Sequence, residues 1–575
     1  MTGKVKKSIA FMLVLTMMFI MLTACATNDT KTTDATKTPA STTVADATTA
    51  APTETEEVKP EVKNAEVIRI GTTYANTPFN TATSDGAFGR VNYNSFVRLN
   101  LCRFDENGVL TGDGCFFKSW DISEDNTSLI VEFAPLDALY WHDGNPVTTD
   151  DVLFTFDFYK ENKHTWFMKV EDVEILSDTS MKISFDSSCA FSFLNQITLM
   201  YTIMPKHIWE NVEDPSSYTE ADAAIGCGPF KFVSNDPDAQ ISYYEAVENY
   251  PIGDITVNRV QIHSLENQAA IAMALVNDEI DVMYAYSASL DPTLLTLIDA
   301  EENLDRGESQ NSATYQLIFG FNNFPTNDKD FRMAVRYALD YNLFSDYLTG
   351  GFGTPANQGA ISPSALGYDG ALPINAQDIE KSKQILDDAG FVDTDGDGMR
   401  ELPDGSEMNV MVALQGSNET YKRMAEILET NLAAVGIRVT VDEETISNPD
   451  HMTKLRMEGT YELYLGMTTV GIAVWTGIVA YIAAITMTSS QRFGTYADPA
   501  YLKAYDDMMT ARNYDEYIAA IQIAQQMNVD ECPGIALAIM QSFFPYRTDH
   551  VTGWTNYPAW GVINGSTWYT AVSAE

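Results

Sequence analysis

Residues 408–442 constrain the fold more than any other stretch of this chain. Met408–Leu414 is a short apolar run. Tyr421–Val435 spaces its apolar residues as a helix does and meets a stop at Gly436, and Ile437–Asp442 is β-like again. Two strands around one helix make a β-α-β unit with a right-handed crossover. The rest of the body is mixed in the same way, which gives an α/β fold class. Phe331, Ala334, Val335, Ala338 and Leu339 predict a helix over 328–341. A second helix runs from Gln377 to Ala389 and ends at Gly390. Thr148 suits a helix N-cap, with Asp151 both completing the capping box and matching the positive helix end. Another amphipathic stretch covers Tyr514–Asn528. Strands are expected at Val67–Ile70, Leu129–Phe133, Met181–Phe185, Ile241–Ala246, Val257–His263 and Thr314–Phe321. At 575 residues the chain has room for two to four domains of ~100–200 residues. No repeat of 20–50 residues is present, which argues against a solenoid or propeller.

The first 65 residues concern location. Lys4, Lys6 and Lys7 precede an apolar run from Ile9 to Met21, too short for a spanning helix of ~20 residues and suited to a signal-peptide core. The run ends in Leu22-Thr23-Ala24-Cys25, which resembles a bacterial lipobox, so Cys25 is the expected lipidation site. From Ala26 to about Asn64 the chain is rich in Thr and Ala and has no apolar periodicity, as a flexible tether would. These readings place the body on the extracytoplasmic face of a membrane. Residues 1–65 hold seven basic and seven acidic side chains, so the whole net charge of −45 lies in 66–575. So acidic a body repels phosphate backbones, which argues against nucleic-acid binding.

Leu463 to Gln491 contains no charged residue, but Gly466, Thr468, Thr469, Gly471, Thr476 and Gly477 dilute its apolar character. A buried segment lining a domain interface is the preferred reading over a membrane span. Beyond Cys25 the cysteines are Cys102, Cys115, Cys189, Cys227 and Cys532, and a Cys102–Cys115 bridge is one option among the pairings.

Catalytic patterns are scarce. The six histidines are widely spaced, and there is no HExxH, G-x-S-x-G, Walker A or G-x-G-x-x-G pattern. With 80 carboxylates, adjacent acids such as Asp387-Asp388 carry no weight as catalytic pairs. No cofactor is required by anything in the chain. One loop has metal chemistry: Asp393, Asp395, Asp397, Met399 and Asp404 follow an EF-hand calcium loop, with Gly398 at its sixth-residue turn. Asp replaces the usual final Glu, Pro403 precedes it, and no amphipathic helix follows. The two readings are a structural calcium and an Asx-rich turn.

Further motifs are spread along the body. Trp141-His142-Asp143-Gly144-Asn145-Pro146-Val147-Thr148-Thr149-Asp150-Asp151-Val152 resembles the F-x-D-G-x-P-x-T-A-x-D-V block of the family 5 extracellular solute-binding proteins. Lys118-Ser119-Trp120, Pro205-Lys206-His207, Gly226-Cys227-Gly228-Pro229-Phe230-Lys231, Asn249-Tyr250, Asp278-Glu279-Ile280-Asp281 and Ala338-Leu339-Asp340 resemble further blocks in the family's order. The resemblance implies a two-lobed periplasmic-binding-protein clamshell of the large type II class, which serves an ABC importer. It implies a signal peptide over 1–24, lipidated Cys25 and tether over 25–65, and lobe I from 66–110, 196–320 and 536–575. A subdomain is inserted over 111–195, and lobe II spans 321–535. A peptide ligand would sit in the cleft and pass to permease and ATPase subunits, with the receptor a monomer.

By the same resemblance, the expected ligand contacts are Phe79, Asn322, Thr468, Trp475 and Tyr496. Peptide-binding members usually pair the free amino group with an acid in the late cleft-lining segment. Here Gly466 to Tyr496 has no acid before Asp498. Either an acid from elsewhere substitutes or the ligand lacks a buried amine. Oligosaccharide or another small solute is the alternative ligand, and a surface hydrolase the alternative class.

Overall fold

A computed structural model describes residues 63–74, 96–164, 166–198, 201–284, 289–416, 419–468, 496–558 and 560–574. The expected signal segment, Cys25, residues 26–62 of the expected tether, Phe79 and Trp475 lie outside these residues, whereas Asn64 and Ala65, at the end of the expected tether, are bridged to Val572 and Val257 of the body. So does the uncharged run beyond Thr468. Among the described residues no helix is long and apolar enough to cross a membrane.

Among the described residues, ten strands form one sheet. In chain order they are β1 (Ile68–Thr72), β6 (Phe230–Asp236), β7 (Ile241–Ala246), β8 (Arg259–Ser264), β9 (Val282–Met283), β10 (Leu304–Phe319), β11 (Val410–Leu414), β12 (Val439–Val441), β13 (Leu463–Thr468) and β14 (Gly534–Arg547). The order across the sheet is β12-β11-β13-β10-β14-β9-β1-β8-β7-β6. A separate four-stranded antiparallel sheet holds β2 (Phe117–Ile122), β3 (Ser128–Phe133), β4 (Val170–Ser177) and β5 (Ser180–Phe185) in the order β2-β3-β5-β4. Two strands join the halves of the large sheet. β10 has 16 residues and β14 has 14, and they pair antiparallel from Leu304↔Arg547 to Ile318↔Gly534. On one side they carry the strands around β1, on the other those around β13. Each half of the sheet has its own core. Ile68, Ile70, Val260 and Val282 pack in one; Leu317, Val410, Leu428 and Leu463 pack in the other.

The β-α-β unit is present: β11 and β12 are parallel, Val410 opposite Val439, and helix α6 (Glu419–Ala433) connects them. Gly436 ends it at φ +82°, a left-handed conformation that costs a residue without Cβ nothing. Asp442 leaves the expected strand because its carboxylate accepts from the Glu444 N–H at 3.1 Å and caps a short helix. The capping box at α1 (Thr149–Glu161) forms as expected, with Asp151 Oδ2 accepting from the Thr148 N–H at 2.9 Å.

The helix expected over 328–341 is instead α3 (Lys329–Ala338), followed by α4 (Tyr341–Thr349). Leu339 is extended, and Asp340 starts the new helix by accepting from the Leu343 N–H at 3.0 Å. Burial on α3 extends to two arginines. Arg332 and Arg336, both nearly inaccessible, donate to the carbonyls of Asn528, Val529, Glu531 and Cys532 at the C-terminal end of α8 (Tyr514–Glu531). A guanidinium there meets the negative helix end and its orphan carbonyls together. Cys102 and Cys115 are not bridged; both are buried free thiols. Burial pushes the Cys115 thiol up to about 11.

Candidate binding cleft

The strand registers bring several carboxyl ends to one place. β9 runs antiparallel to β14, with Val282 opposite Tyr546, and β1 and β8 run parallel to it, so their C-terminal ends point toward the middle of β14. From the other half, β13 runs to Thr468 opposite Thr314 of β10, and β11 runs parallel to β13. The register of β10 against β14 shifts between Gln310 and Thr314, where the two sets of ends face each other. In open parallel sheets, ligands bind outside the carboxyl ends of the strands.

The described residues at the ends of β1, β9, β11 and β13 include Thr72, Tyr74, Met283, Tyr284, Leu414, Gln415, Met467 and Thr468, none of them charged, while β8 ends at Ser264 with Leu265 and the carboxylate of Glu266 following. Gln415 organises one side. Its Oε1 accepts from the Met467 N–H at 2.5 Å and from the Tyr421 hydroxyl at 3.1 Å. Gly466 permits this close approach, since a Cβ there would stand 2.6 Å from Gln415 Oε1 and 2.6 Å from the Tyr464 ring. Burial pushes the Tyr421 phenol up to about 12, so it stays a hydrogen-bond donor at neutral pH. Tyr315 meets it edge-on at 6.3 Å, and Gln316 donates to Thr314 Oγ1 at 2.8 Å inside the sheet. Amides, hydroxyls and rings of this kind hold a ligand through hydrogen bonds and stacking.

The expected contact residues divide. Thr468 lies at the convergence. Asn322 lies past the opposite end of β10, where its amide donates to Gly459 O at 2.9 Å. Tyr496 is with it, packed against Phe321 at 4.7 Å and Tyr501 at 5.3 Å, and only 7% exposed. Thr314 to Phe319 alone spans ~17 Å of strand, so Asn322 and Tyr496 are not brought together with Thr468. Gln415, Tyr421, Thr314 and Gln316 escaped the sequence reading. The available signal was Gln415's place directly after a strand of the β-α-β unit.

The acidic loop gathers Asp393, Asp395 and Asp397, with a carboxylate oxygen of each within 4.8 Å of the others. Asp393 accepts from the N–H groups of Gly396 and Gly398 at 2.6 and 3.0 Å, and Arg438 pairs with Asp397 at 3.0 Å. Asp404 stands apart, its carboxylate accepting from Ser406. Met399 donates its N–H to Asp397 at 2.7 Å.

The sequence blocks build joints. His142 donates its N–H to Gly226 O at 2.8 Å and, through Nε2, a second hydrogen bond to Gly228 O at 3.0 Å. A Cβ at either glycine would lie within 2.6 Å of the backbone of Phe96 or Val97, so both must be glycine. Asp281, 1% exposed, accepts from the Arg69 N–H at 2.7 Å and from its guanidinium at 2.6 and 3.1 Å, locking β1 to β9.

Residues 115–474 match the family model described as bacterial extracellular solute-binding proteins, family 5 middle. The nickel-binding periplasmic protein of Escherichia coli is 23% identical over 338 residues, 58% of this chain and 63% of that protein. The oligopeptide-binding protein AppA of Bacillus subtilis is 26% identical over 317 residues, 52% of this chain and 55% of that protein. The chain thus matches less than two thirds of the length of either. The crystal structure of the ABC transporter substrate-binding protein CtaP from Listeria monocytogenes superposes with a TM-score of 0.70 at 20% identity, covering 89% of this chain and all of that one.

Proposed function

Because the chain belongs to family 5 of the bacterial extracellular solute-binding proteins, whose members bind solutes without transforming them, we propose that it is the receptor of an ABC importer for peptides. It captures the peptide between the two halves of the large sheet by hinge closure and delivers it to the permease and ATPase subunits. The observation that carries this reading is the convergence of the uncharged ends of β1, β9, β11 and β13 at the middle of β10 and β14. A peptide main chain is a row of neutral donors and acceptors, and strand ends with amide and hydroxyl groups can satisfy it while reading side chains loosely. The Leu22-Thr23-Ala24-Cys25 segment supports a lipid anchor on the extracytoplasmic face, and the receptor acts as a monomer.

A second reading keeps the receptor and changes the ligand to another small solute. The absence of charge among the described ends of β1, β9, β11 and β13 favours it, because an ionic peptide terminus needs a partner. Native mass spectrometry of the protein from its host, followed by denaturing release, separates the two. A heterogeneous set of short peptides supports the first; one sugar or other solute supports the second. A protein that turns its ligand over would refute both.

A further inference from the structure

The four-stranded sheet meets the helical hairpin formed by α7 (Pro499–Thr510) and α8 along a seam with its own hydrogen bonds. Asn126, in the turn between β2 and β3, is fully buried and left-handed at φ +59°. Its Oδ1 accepts from the Phe191 N–H at 2.9 Å, which fixes α2 (Ala190–Gln196) on its own side of the seam. Its Nδ2 points the other way, 3.3 Å from Thr510 O and 3.3 Å from Ala511 O at the end of α7, and also 3.3 Å from Ser188 Oγ. The Tyr514 hydroxyl adds a second bridge. It accepts from the Leu110 N–H at 3.0 Å and donates to Asn195 Oδ1 at 3.3 Å, while its ring meets Phe191 edge-on at 5.1 Å.

The hairpin belongs to the half of the molecule that carries β13. Gln525 accepts from the Asp369 N–H and donates to Gly367 O, and Asn528 donates to Gln358 O. The four-stranded sheet packs with Leu99, Leu101 and Cys227 in a different core, so the seam joins segments that the clamshell reading puts on opposite sides of a hinge. It is also built to come apart. Carbonyls at a helix C-terminus accept water as readily as an amide, and a groove of about 660 Å³ bordered by Asp125, Asp507 and Arg512 brings solvent alongside. Separation leaves no orphaned polar atom, whereas closure buries Phe191 and Phe104 against the hairpin.

We propose that Asn126 and Tyr514 form a latch that holds the closed form before any ligand arrives, making them positioning residues for the cleft. This rests on the clamshell reading above. The latch raises the closed population and so the apparent affinity, since affinity scales with the competent fraction. Two amide-to-carbonyl bonds weight that population by about tenfold.

The test is made on ligand-free protein, with spin labels at two exposed positions on either side of the seam, Ile130→Cys and Ile523→Cys, read by electron–electron dipolar spectroscopy. Asn126→Asp keeps the acceptor for Phe191 and the left-handed turn but sets oxygens against the two carbonyls. The expected result is one short distance in the parent and a longer one gaining about tenfold in Asn126→Asp. Tyr514→Phe, which keeps the ring, gives a smaller gain in the same direction and decides the matter if Asn126→Asp does not fold. A parent already long, or distances unchanged in the folded variants, overturns the latch. Identification of the released ligand is a separate readout, so a wrong ligand class leaves this result intact.

Discussion

His142 offers the sharpest test of how the body is held together. Its Nε2–H is committed to Gly228 O, while Nδ1 is buried without a hydrogen-bond partner among the described residues. Adding a proton would put a charge and an unsatisfied N–H in that place. Burial is the main cause that pulls the imidazole down to about 4 from its ordinary 6.5, and Lys231 adds to it; the bond to Gly228 and nearby Asp143 act the other way. The folded state thus favours the neutral ring. The stabilisation is fully present above pH 6.5, is lost as pH falls from 6.5 to 4, and changes no further below that. The gap between the two values is worth about 3 kcal/mol. His142→Gln keeps a side-chain N–H for Gly228 O and does not titrate. Thermal midpoints of parent and variant, measured from pH 7.5 to 4.5, are expected to converge or cross as the parent loses this contribution. Carboxylate effects cancel in the comparison. If the body unfolds as one unit, the relative shift is about 3 °C, and it is larger if one lobe melts alone. A parent–variant difference that stays constant across that pH range refutes the reasoning.

Asp281→Asn removes the buried partner of Arg69 and should cost about 3 kcal/mol, read as a lower urea midpoint at neutral pH. Arg336→Met strips donors from the carbonyls of Asn528 and Val529, with an expected loss of about 2 kcal/mol and faster amide exchange at the end of α8. Gly466→Ala drives a methyl into Gln415 and Tyr464. It should weaken ligand retention in native mass spectrometry with little change in thermal midpoint, and full retention would place the ligand away from these strand ends.

Local structure was legible wherever a short-range rule sufficed. The β-α-β unit, the stop at Gly436 and the Thr148–Asp151 capping box follow from spacing and turn chemistry within a few residues. The family blocks pointed to a receptor fold for the same reason: Gly226, Gly228 and Asp281 each have a demand that few residue types can meet. Boundaries failed where distant groups competed. Asp340 ended a helix because its carboxylate could cap the next one while Asn431 accepted its N–H at 2.6 Å. Only tertiary structure could decide the cleft. Asn322 and Thr468 look equivalent in a list of candidates, but the antiparallel register of β10 and β13 sends them to opposite ends of the same strand pair. The burial of Asn126 is likewise invisible in the sequence, because the nearest partners of its side chain are 62 and 65 residues away and Thr510, across the seam, is 384 away. Periodicity and capping are local energies written in neighbouring residues, whereas a cleft and a seam depend on register and closure, which no local window contains.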